Sequence, residues 1–134
     1  MKLEFLAEGS QDCPLIRLYA FDVGEAVQLR KLFRSLSTGS RQAVALHEEP
    51  GTEPVGGCRL DLHLGKGDSG VVPKGLLKFE YILTAEGWSD IANRVDPFCA
   101  KGFQWLNEEG EIPLLLSSDG TWREQETSHR ASPA

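Results

Sequence analysis

Asp61 and His63 stand two positions apart, so on a strand both side chains leave from the same face, and His47-Glu48-Glu49 is placed to lie on a neighbouring strand. An imidazole beside carboxylates is a donor set for a divalent metal, or for a general base held by an orienting acid. The spacing matches no known ligand pattern. A wet strand face carrying Arg59, Asp61, His63, Lys78 and Glu80 as cross-strand charge partners accounts for the same residues. The expectation is therefore no bound metal, with Asp61, His63 and His47 as the candidate ligands, and no cofactor.

Gly67-Asp68-Ser69-Gly70 resembles the segment around the nucleophile of chymotrypsin-like serine proteases, over four residues. Those enzymes need a separate histidine and aspartate and two barrels, more than 134 residues supply. Val71 stands where that family has a second glycine, and no Ala-His-Cys segment exists. A turn built from turn-forming residues explains the segment. Lys66 in the same loop precedes the second glycine and a strand follows it, so no phosphate-binding loop is formed.

Three further groups suit binding rather than catalysis. Arg30 and Arg34, one helical turn apart beside Lys31, offer an anion or acidic-partner patch, although cations late in a helix also complement its negative end. Trp88, Trp105 and Trp122, with Phe98 and Phe103, gather in the C-terminal third, where large rings fill a core or mark an interface. Glu108-Glu109-Gly110-Glu111 places three carboxylates in four residues, a solubilising turn or a steering site for a basic partner. Cys13, Cys58 and Cys99 are an odd number with no Cys-x-x-Cys pair, as expected of reduced thiols in a cytoplasmic protein.

These groups need elements to hold them. Residues 3–7 and 15–21 read as strands separated by the turn Gly9-Ser10-Gln11-Asp12. Asp22-Val23-Gly24-Glu25 is a capping box, followed by Ala26, Leu29, Leu32, Phe33 and Leu36 on one helical stripe, with Gly39 as the stop. Residues 42–48 read as a third strand, and 49–57, with two prolines and three glycines, as loop. Leu60, Leu62 and Leu64 alternate with Arg59, Asp61 and His63. Leu77, Phe79, Tyr81 and Leu83 alternate with Lys78 and Glu80, which predicts an antiparallel hairpin across the glycine-rich 65–70 connection. Trp88, Ile91, Ala92 and Val95 predict a second helix, and Asp96-Pro97 to Gly102 a short turn. Residues 103–106 and 112–116 predict a last hairpin around the acidic tip.

The order β-β-α-β-β-β-α-β-β predicts an α+β fold: a largely antiparallel sheet with two helices on one face. Residues 1–122 form the expected globular domain and 123–134 a disordered tail. The longest apolar run, Ile112–Leu116, falls far short of the roughly 20 residues a membrane span needs. A net charge of −6 repels phosphate backbones, which argues against nucleic acid. The expected function is a non-enzymatic protein-interaction module, an adaptor or an immunity-type protein, with a partner of basic character, a homodimer being compatible. The alternative is a small-molecule or hydrolytic site built on the polar strand face and a tryptophan-rich pocket. A pocket lined by those residues favours the second reading, a flat patch the first.

Overall fold

The computed structural model describes residues 1–8, 13–95, 103–107 and 112–121. Strands β1 (Lys2–Leu6) and β2 (Leu15–Tyr19) precede helix α1 (Val23–Ser37). Then come β3 (Ala43–Ala45), β4 (Glu53–Pro54), β5 (Arg59–Leu64), β6 (Gly70–Gly75), β7 (Lys78–Leu83), helix α2 (Ala85–Val95), β8 (Phe103–Asn107) and β9 (Leu114–Ser117). The architecture is α+β. None of the described helices is long and apolar enough to cross a membrane.

The capping box at the start of α1 is made in full. Asp22 Oδ1 accepts the Glu25 amide at 2.8 Å, and Glu25 Oε1 accepts the Asp22 amide at 3.1 Å. The stripe of Ala26, Leu29, Phe33 and Leu36 is buried, and Gly39, at φ +80°, turns the chain out of the helix. Helix α2 buries Trp88, Ile91, Ala92 and Val95 as its spacing dictates. Its N-terminus is held by the Gly67–Gly70 segment. Asp68 Oδ1 accepts the Thr84 amide at 2.9 Å, Thr84 Oγ1 accepts the Gly87 amide at 3.1 Å, and Ser69 Oγ accepts the Ile82 amide at 3.3 Å. Those residues serve as a clip between loop and helix.

The strands do not form one largely antiparallel sheet. They form two mixed sheets, in the orders β4-β1-β2-β9-β8 and β3-β5-β7-β6. Three pairings are parallel: β1 with β4, β2 with β9, and β5 with β7. The expected hairpin of residues 58–64 with 77–83 is thereby corrected. Between them runs β6, which passes beyond the place of β7, and β7 turns back antiparallel to it and fills the gap beside β5. Pro73 disguises β6 as loop, but β6 is an edge strand, where a residue without an amide proton is tolerated. The third strand ends at Ala45, because residues 46–48 close into a single 3-10 turn that buries Leu46. The last hairpin forms as expected, and β9 also lies beside β2, so Leu114, Leu115 and Leu116 are all buried, as in a parallel-paired strand covered on both faces.

A single apolar cluster joins both sheets and both helices. Leu60, Leu62, Phe79, Tyr81 and Leu83 face inward from the four-stranded sheet. Phe33 stacks on Trp88 at 5.6 Å, Tyr81 meets Trp88 edge-on at 5.0 Å, and Phe5 of the five-stranded sheet meets Phe79 at 4.8 Å. Helices and five-stranded sheet therefore cover the same side of the four-stranded sheet. No described element covers its other side.

Candidate functional site

That open side is where the structure gathers the polar residues of the sequence pattern. Alternation sends Arg59, Asp61 and His63 of β5 outward, together with Lys78, Glu80 and Ile82 of β7. Ala43 and Ala45 of β3 flank them on one side, Gly70 and Val72 of β6 on the other. No residue of this face is buried: Arg59, Lys78 and Ala43 are exposed, and Asp61, His63, Glu80, Ile82 and Val72 are half-buried.

Parallel register decides the electrostatics. Arg59 pairs with Lys78, and the next outward pair is Asp61 with Glu80. The face thus carries a cationic row and, two residues along, an anionic row. Directly across the register like stands beside like, which weakens a sheet rather than supporting it, and the expected cross-strand partnership survives on the diagonal from His63 to Glu80. Arg59, Asp61 and Lys78 make no ion pair or side-chain hydrogen bond with a described residue. Glu80 is attended by Lys74 at 3.8 Å and by His63 Nε2 at 3.9 Å.

His47 does not join this group. Its Nδ1 accepts the Leu60 amide at 3.1 Å, which places the ring proton on Nε2 and commits the ring to the β5 backbone. Among the described residues there is no group of three or more histidines, cysteines, aspartates or glutamates arranged to hold a metal.

The remaining candidates disperse. Trp88 is fully buried and donates its indole N–H to the His63 carbonyl at 2.9 Å, so it holds helix to sheet from inside. Trp105 is half-buried on β8, and its carbonyl accepts from Arg94 at 3.2 Å. Arg34 reaches across to Asn93 Oδ1 at 3.2 Å, bracing α1 against α2, and Arg30 is half-buried on the same helix. Glu108, Glu109, Glu111, Trp122, Phe98, Cys99, the turns at 9–12 and 96–102, and the tail 123–134 lie outside the described residues.

A cleft of about 220 Å³ opens between α1 and the turn at 49–52, lined by Met1, Glu25, Leu29, Leu32, Glu49 and Pro50 among others. Its carboxylates already have partners: Glu25 takes the Met1 amino group at 2.7 Å, and Glu49 takes Arg41 at 3.4 Å. None of Asp61, His63, Trp88 or Trp105 lines it.

Sequence reasoning missed a second polar network, on the outer face of the five-stranded sheet. Arg17 donates to Glu4 Oε1 from Nε at 2.9 Å and Nη2 at 2.6 Å, and to the Gly120 carbonyl from Nη1 at 2.7 Å, while lying 4.0 Å over the Tyr19 ring. Burial, with the hydrogen bond to Glu4 second, raises the Tyr19 hydroxyl. Burial likewise pushes the Cys58 thiol up to about 11, helped by the Glu4 charge. Thr121 hydrogen bonds lower the Asp119 carboxyl and fix the turn that presents Gly120. The only sequence signal was the alternation of Arg17 and Tyr19 on one strand face. Each Arg17 nitrogen is engaged within the protein, so this network is a clasp that ties β1, β2 and the Asp119-Gly120 turn together.

Comparison with protein-family models, with curated proteins and with solved structures finds no match to this chain.

Proposed function

We propose that this protein is a protein-interaction module whose working surface is the open face of the β3-β5-β7-β6 sheet. The observation that carries the reading is the pair of like-charged rows, Arg59 with Lys78 and Asp61 with Glu80. Interleaving the two signs across β5 and β7 would have stabilised the sheet, and the fold carries the less stable arrangement on a surface that no described element covers. A partner with complementary rows neutralises both at once, and its charges give specificity and a fast encounter.

The alternative, a small-molecule or hydrolytic site, finds less support. Its histidine and aspartate sit on a flat sheet face, and the described cleft is smaller than the roughly 300 Å³ at which ligand pockets usually begin. The test is affinity capture from the native host with two baits, the wild-type chain and R59E/K78E, after matching their circular dichroism and unfolding midpoints. The expected result is a stoichiometric protein, a second copy included, held by the first bait and lost from the second. Equal recovery on both baits overturns the proposal, and so does no partner on either together with a wild-type chain that does not self-associate.

A further inference from the structure

We infer that the occupant of this face is a second copy of the chain. The inference rests on the protein-binding reading above and names its partner. The two rows lie two residues apart along the strands, about 6.6 Å. A two-fold axis in the plane of contact, running across the strands midway between the rows, reverses the strand direction and exchanges the rows. It sets Arg59 over the partner's Asp61 and Lys78 over the partner's Glu80, each contact made twice as in any isologous interface. The charge pattern is thus complementary to its own image.

The same operation accounts for a second feature that the monomer leaves unexplained. Leu76, at the tip of the β6–β7 hairpin, is 95 % exposed. It belongs to the two-residue turn Leu76-Leu77 that joins Gly75 to Lys78, at the cationic end of the face. Ile82, half-buried, lies two residues beyond Glu80 at the other end. Exchange of the rows brings this hairpin tip to the end of the partner's sheet that carries Ile82, so that an apolar residue stands at each end of the charged centre. The edge itself is not the contact: β6 carries Pro73 and Lys74, which blunt strand addition.

The face measures about four strands by six residues, or roughly 19 by 20 Å. That is a small interface, of the weak and reversible class rather than the obligate one. Self-association belongs at micromolar to millimolar concentration, sensitive to charge.

Sedimentation equilibrium of the full chain tests it, in about 0.1 M salt and up to about 1 mM protein. Wild type is expected to dimerise. R59E/K78E and D61K/E80K are each expected to associate at least about tenfold more weakly, because each makes both rows the same sign. An equimolar mixture of the two variants is expected to recover a dimer containing one of each. L76S, at a position with nothing to lose in the monomer, weakens the dimer several-fold and leaves the unfolding midpoint unchanged. A wild type that stays monomeric throughout overturns the inference, and so does a dimer indifferent to both double variants. If it is monomeric while the R59E/K78E bait still loses a different protein, the protein-binding reading stands and the self-association falls; failure of both experiments ends both.

Discussion

Cys58 shows how a single residue reports on the interior. It is fully buried, and burial together with the Glu4 charge raises its thiol from 9.0 to about 11. Two consequences follow from the thiolate being the nucleophile. At pH 8, iodoacetamide labelling followed by peptide mapping is expected to leave Cys58 unmodified in the folded protein and modified in denaturant; equal labelling in the two states would place the thiol at the surface. The second consequence concerns stability. An acid whose folded value is raised is easier to ionise when unfolded, so its contribution is fully present below pH 9 and is lost as pH climbs from 9 toward 11. The loss amounts to at most about 3 kcal/mol, from two units of difference. C58A is expected to flatten that part of the stability profile relative to wild type, whatever the tyrosines and lysines add to both.

At the scale of elements, the start of α2 carries the sharpest expectation. A glycine in a helix ordinarily gains about 1 kcal/mol on replacement by alanine. Gly87 has no such room: a Cβ there would stand 3.1 Å from Asp68 Oδ1 and 3.1 Å from Leu83 Cβ. G87A is therefore expected to lower stability, by about 1 kcal/mol once the helix gain is offset by the displaced clip. D68A on its own costs about 1 kcal/mol, as losing an end-of-helix acceptor does. The two substitutions together should cost less than their sum, and additive urea midpoints would show that the clip and the glycine are independent. Both helices were legible in the sequence because caps and stripes are local: Asp22 with Glu25, and Trp88, Ile91, Ala92 and Val95 at helical spacing. The inward and outward faces of residues 59–64 and 78–83 were legible for the same reason. Pairing was not. Alternation says which way Asp61 and Glu80 point but not which residue stands beside which, and an antiparallel reading hides the like-charged rows that parallel register creates. Edge strand β6 was masked by Pro73, and the β2–β9 pairing joins segments about a hundred residues apart with no local signal at all.

The molecule as a whole opposes the contact that its open face favours, and the balance has a measurable form. Each copy carries a net charge of −6. Two such bodies with centres about 35 Å apart, the spacing for touching domains of this length, repel by about 4 kcal/mol in unscreened water. The row-to-row pairs are short, about 4 Å, where each is worth about 1 kcal/mol in water and screening acts weakly. Salt therefore works on the two terms in sequence. Raising ionic strength from 0.01 to 0.1 M shortens the screening length from about 30 to about 10 Å, which removes most of the body-to-body repulsion and spares the contacts. Near 1 M the length is about 3 Å and the contacts themselves weaken. The dimerisation constant is expected to pass through a maximum near 0.1 M, several-fold above its value at 0.01 M and falling again beyond. In the mixture of R59E/K78E with D61K/E80K the maximum should vanish. The first variant has net charge −10 and the second −2, by four charges removed or added, but four strengthened contacts now dominate at every salt and binding falls steadily. A wild-type constant that rises all the way to 1 M would mean that Leu76 and Ile82, not the charged rows, hold the two copies together.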